Sequence, residues 1–137
     1  MKNLLCSCLL FVVSALLSAC GSRSTPSAKS TATPSATITF ADTLHDFGTF
    51  PADSAKRQYT FRFTNTGTVP AAVVDVAPSC RCLSVEYTRE VIRPGGSGQV
   101  TLVFDGRESA PGYFDKSARV RFNAPRVYTL RVRGRME

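Results

Sequence analysis

Large apolar residues recur at every second position through most of this chain, and that pattern restricts it to one kind of backbone. Tyr59, Phe61 and Phe63 alternate with Thr60, Arg62 and Thr64. Val100, Leu102 and Phe104 alternate with Thr101 and Val103; Ala118, Val120 and Phe122 with Arg119 and Arg121; Tyr128, Leu130 and Val132 with Thr129, Arg131 and Arg133. A period of two places every apolar side chain on one face of a pleated strand, whereas a helix would scatter them around its axis. Shorter segments of the same kind lie at 36–40, 71–76 and 83–87, so seven strands are expected. Turn formers separate them: "NTGTVP" at 65–70, "RPGGSG" at 93–98, "DGRESAPG" at 105–112 and "NAPR" at 123–126. No stretch carries a helical period.

Seven short strands with turns about every ten residues predict an all-β, immunoglobulin-like β-sandwich with Greek-key connections. The chain has no Trp, and its cysteines are wrongly spaced for the inter-sheet disulfide of antibody domains, so the expectation concerns architecture alone.

The first residues carry a different message. Lys2, an apolar run from Leu4 to Leu17, and the small residues Ser18 and Ala19 follow the order of a secretory signal. The run is shorter than the roughly 20 residues a membrane-crossing helix needs. Leu17-Ser18-Ala19-Cys20 resembles a bacterial lipobox, which implies cleavage after residue 19, acylation of Cys20 (palmitate or a similar fatty acid) and anchoring in a bilayer. Gly21 after the cysteine, rather than Asp, implies sorting to the outer membrane, facing the periplasm. Residues 21–37 are mostly Ser, Thr, Ala and Pro with two positive charges and no large apolar residue, so 20–37 reads as the lipidated cysteine and a flexible tether. Residues 38–137 are then one domain. Loss of Lys2 with the signal leaves 16 basic against 10 acidic side chains.

"HDFGTF" at 45–50, "YTFRFTNTGTVPAAVVDVAPSCRC" at 59–82, "IRPGGSGQVTLVFD" at 92–105 and "GYFDKSARVRFN" at 112–123 together resemble the bacterial family called domain of unknown function 1573. The resemblance covers the whole domain and implies an exported, often lipid-anchored, immunoglobulin-like protein. That family usually shows Cys-Gly-Cys-Thr where this chain has Cys80-Arg81-Cys82-Leu83, and Gly permits tight turns that Arg resists.

If Cys6 and Cys8 leave with the signal and Cys20 is acylated, Cys80 and Cys82 remain as the thiols of the domain, in an oxidising compartment. On an extended strand their Cα atoms would stand about 6.6 Å apart on one face, near the limit for a disulfide. Three readings stand at this point: a buried or paired structural couple, a redox-active disulfide, and a two-sulfur site for a soft ion such as copper or zinc. His45, the only histidine, is expected in a turn before the second strand, with Phe47 in the core and Gly48 supplying an unusual backbone angle, rather than as a metal ligand or base. "PGGSG" at 94–98 precedes a strand instead of a helix and reads as a connection, not a phosphate loop.

Arg119 and Arg121 on one strand and Arg131 and Arg133 on the next fall on one outer face if 116–122 and 127–133 form a hairpin. Such a strip either discourages edge pairing or meets an anionic partner. No recognition helix or aromatic and basic interleaving points to nucleic acid. No nucleophile, base and acid arrangement points to an enzyme. The sequence therefore predicts a lipid-anchored, non-enzymatic adaptor or interaction module of the cell envelope, with membrane contact through its anchor and an envelope protein or polymer as partner. A thiol-based metal or redox module at Cys80 and Cys82 is the alternative.

Overall fold

The computed structural model of the protein describes residues 34–54, 56–107 and 109–137. The signal segment, Cys20 and most of the tether lie outside the described residues. No helix among those described is long and apolar enough to cross a membrane.

Eight strands build two four-stranded sheets: β1 (Ile38–Phe40), β2 (Leu44–Phe50), β3 (Lys56–Asn65), β4 (Val73–Pro78), β5 (Leu83–Tyr87), β6 (Ser97–Asp105), β7 (Gly112–Phe122) and β8 (Val127–Met136). One sheet runs β1-β3-β6-β5 and the other β2-β8-β7-β4, the two-sheet Greek-key arrangement of immunoglobulin-like domains. All neighbours pair antiparallel except β2, which lies parallel to β8.

The alternating apolar positions face inward. Phe61 and Phe63 from β3, Val100, Leu102 and Phe104 from β6, Val120 and Phe122 from β7, and Leu130 and Val132 from β8 are all buried. Phe104 and Phe114 stack with ring centroids 4.0 Å apart and tie the two sheets together across the core. A domain of this size stabilises itself chiefly through such burial, at about 25 cal/mol per Å² of apolar surface.

β2 is the strand that the sequence pattern hides, and it corrects the expectation of a turn at His45. His45 lies within β2, and the inward positions run His45, Phe47, Phe50 because the register slips between Asp46 and Thr49. Gly48 sits in that bulge with φ +67°, the left-handed conformation that favours glycine. The extra residue breaks the period of two. Phe47 is half-buried and packs against the core, as expected.

Ordered packing also begins before Ile38. Ala36 is buried, Thr66 N donates to Thr37 O at 2.8 Å and Thr68 N to Ser35 O at 3.2 Å, so the last residues assigned to the tether lie against the loop at 65–70.

Candidate functional site

Two places on this fold gather the residues that the sequence singles out. The first is the short connection from β4 to β5, where the chain leaves one sheet and enters the other. Cys80 and Cys82 are joined there by a disulfide, with Cα atoms 5.2 Å apart. The extended spacing expected from strand geometry does not hold, because the backbone turns at Arg81. Leu83 N donates to Cys80 O at 3.3 Å and closes that turn. No described residue other than glycine has positive φ, so Arg81 occupies the usual glycine position of the family motif in an ordinary L-residue conformation.

Neighbouring strands pin both flanks of the turn. Ser79 N donates to Ser117 O at 2.8 Å, Ser117 N to Ser79 Oγ at 3.0 Å, and Asp105 N to Cys82 O at 2.8 Å. The bond encloses one intervening residue. Loop-closure entropy for so small a loop gives it a stabilising contribution of about 1.6 kcal/mol, against about 4.7 for a 100-residue loop. It fastens nothing that the strand ladders do not already hold.

Both cysteines are half-buried against the core, and Cys82 opens on a cleft of about 560 Å³ that Arg81, Ser84, Asp105, Arg107 and Ser109 also line. Asp105 grips Arg107 there at 2.6 and 2.9 Å, and those hydrogen bonds hold the Asp105 carboxyl down to about 2. With its sulfurs bonded to each other, the pair presents no thiolate to a metal. Among the described residues no three His, Cys, Asp or Glu side chains converge on a point where an ion could sit.

His45 does not join the cysteines. Its ring stacks on Tyr59, with centroids 3.6 Å apart and 6° between planes, and meets Phe47 edge-on at 4.8 Å. Tyr59 in turn donates its hydroxyl to Asp42 at 3.0 Å, which raises the tyrosine pKa.

The second place is the outer face of the β2-β8-β7-β4 sheet. The β7–β8 register sets Ser117 opposite Arg131 and Asp115 opposite Arg133, so Arg119, Arg121, Arg131 and Arg133 do share one surface, and Arg135 extends it. The surface is not purely basic, because carboxylates interleave. Arg131 is ion-paired with Asp115, Arg133 binds Asp46 of β2 at 2.9 Å, and Asp75 of β4 lies opposite Arg121. Asp46 is held below the usual carboxylate range, first by the Gly48 N–H and then by Arg133. Arg119 and Arg135 are exposed and make no ion pair among the described residues.

"PGGSG" forms a connection, as expected. Gly96 N donates to Arg93 O at 2.8 Å and Gly95 N to Asn65 O at 2.8 Å, and Ser97 and Gly98 already begin β6. Sequence reasoning passed over Asn65, which is fully buried and binds Val69 O, Ile92 O and Gly67 N through its amide. It also missed the cleft at Arg107. An Asn between an alternating run and a Thr-Gly turn was the available signal for the first.

Among solved structures, a protein of unknown function from Porphyromonas gingivalis W83 superposes with a TM-score of 0.64 at 18% identity, covering 73% of this chain and 46% of that one. The chain thus spans under half the length of that protein. A PapD-like domain of human CEP192 gives 0.56 at 12% identity, covering 76% of this chain and 87% of that one. The VesB protease of Vibrio cholerae gives 0.57 at 16% identity, covering 73% of this chain and 31% of that one. These likenesses concern the fold. No curated protein matches the sequence. The profile of the family described as "Protein of unknown function (DUF1573)" matches residues 38–136, and the chain belongs to that family.

Proposed function

We propose that this protein is a lipid-anchored, non-enzymatic adaptor of the bacterial cell envelope, which holds an acidic envelope protein or polymer against the outer face of its β2-β8-β7-β4 sheet. The observation that carries this reading is the set of guanidinium groups on that face. Arg119, Arg121, Arg131, Arg133 and Arg135 outnumber Asp46, Asp75 and Asp115 there. A flat sheet face with its basic groups spaced by the pleat suits an extended anion better than a compact ligand. Arg131 and Arg133 are held by Asp115 and Asp46, while Arg119 and Arg135 have guanidinium donors to offer.

The lipobox at Leu17–Cys20 and the tether after it support anchoring in the outer membrane, with the domain facing the periplasm. His45 is committed to its stack on Tyr59, which favours binding over acid–base catalysis. Nucleic acid is no part of this reading.

Titration of the full chain with an acidic polysaccharide at low and high salt tests the proposal. Binding should weaken as salt rises and fall sharply when Arg119, Arg121, Arg131 and Arg133 are all changed to Gln. Equal binding by wild type and the quadruple variant, with both folded, would overturn it.

A further inference from the structure

We propose that the Cys80–Cys82 disulfide is an exchangeable oxidant for a dithiol of a partner protein, received in the cleft beside Cys82. This role is independent of the arginine face. Three observations carry it. The bond can open without releasing the fold, because β4 stays laddered to β7 and β5 to β6, while Ser79–Ser117 and Cys82–Asp105 backbone bonds hold the turn itself. The pair is half-exposed, and Cys82 lines an open cleft of about 560 Å³. The exposed Arg81 lines that same cleft, where Asp105 already pairs with Arg107, so the Arg81 guanidinium leaves the cleft net positive and favours an approaching thiolate.

The exchange runs in two displacements. A thiolate of the donor attacks Sγ of Cys82, the sulfur on the cleft side. The Cys80–Cys82 bond breaks, and Sγ of Cys80 leaves with the electron pair. A mixed disulfide now joins the donor to Cys82. The donor's second thiolate attacks the donor sulfur of that bond, which closes the donor's disulfide and releases Cys82 as a thiolate. The donor loses two electrons and the pair gains two; the two donor protons pass to water or to the new thiolates. A low-molecular-weight or protein disulfide restores the starting state by the reverse exchange.

The test equilibrates the full chain with mixtures of reduced and oxidised glutathione, then blocks thiols by alkylation and maps Cys80 and Cys82 by peptide mass. Mapping by peptide keeps Cys6, Cys8 and Cys20 out of the readout. The pair should pass reversibly between disulfide and dithiol across these mixtures, with circular dichroism of the folded domain retained. The trapped glutathione adduct should sit on Cys82 in preference to Cys80, and Arg81→Gln should slow its formation several-fold. Three results would overturn the proposal: a pair that stays oxidised in excess reduced glutathione until the chain is unfolded, loss of the fold on reduction, or adducts shared equally between the two sulfurs.

Discussion

Replacing Asn65 with Ala should cost this domain a large part of its stability, and the size of the loss follows from three hydrogen bonds. The side chain is fully buried where β3 ends, and its amide nitrogen donates to Val69 O at 2.8 Å and Ile92 O at 3.0 Å, while its oxygen accepts from Gly67 N at 3.0 Å. Each such bond contributes about 1 kcal/mol net, and a stranded buried partner costs about 1–3. Ile92 O keeps its bond from Ala71 N at 2.8 Å, and half-buried Gly67 and Val69 are open to water, so the stranding cost is small. The total is then about 3 kcal/mol, or about 12–24 °C in Tm for a domain of this size. Thermal and urea unfolding of wild type and variant measures it. Asn65→Asp keeps the accepting oxygen but turns an anion toward two carbonyl groups, and should do at least as much damage at neutral pH. A loss of under 1 kcal/mol for Asn65→Ala, with an unchanged urea slope, would refute the idea that this amide fastens the 65–70 and 92–96 loops.

Gly98 lies opposite Phe63, and a Cβ there would meet the ring at 2.5 Å, so Gly98→Ala should destabilise by about 1–3 kcal/mol in urea unfolding, and Phe63→Leu in the same chain should recover part of that. Changing Cys80 and Cys82 together to Ala should leave the fold intact and lower Tm by only about 10 °C, from the loop-closure contribution and the entropy of unfolding. Asp105 titrates at about 2 instead of its ordinary 3.8, so the folded state favours its charged form. The stability it contributes is complete above about pH 4 and disappears as pH falls toward 2. Arg107→Gln should move the Asp105 carboxyl resonance midpoint back up and remove that share of the acid sensitivity.

Seven of the eight strands are legible: β1, β3 and β5 to β8 pair with their antiparallel neighbours in unbroken register and keep a period of two, and β4 carries enough apolar residues through 71–76 to show despite its own bulge between Val73 and Asp75. β2 is not, because its bulge at Gly48 places inward side chains at 45, 47 and 50. The hairpin register needed to place four arginines on one face followed from the short 123–126 connection. Their partners did not all follow. Asp115 lies on the same hairpin, but Asp46 reaches Arg133 across 87 residues of sequence and through a parallel pairing that no local pattern announces. The strand spacing expected for the two cysteines does not hold because residues 79–82 lie outside β4 and β5. Pro78 ends β4 just before them, and the chain turns to cross between sheets.

The sheet edges explain why a partner would use a face in one place and a strand in another. β1 has three residues, β2 is bulged at Gly48, and β4 is bulged between Val73 and Asp75 and closes on Pro78. Short, bulged and proline-bearing edges resist strand addition. The β2-β8-β7-β4 sheet has blunted edges on both sides, so contact with it falls to its charged outer face. β5 differs, for it pairs in regular register with β6 from Leu83 to Tyr87 and forms the edge of its sheet. Its first residue follows Cys82, and Ser84 lines the same cleft. An extended dithiol segment added along β5 would therefore run directly to the sulfur that the exchange requires, with main-chain hydrogen bonds supplying affinity and the disulfide turn fixing its end.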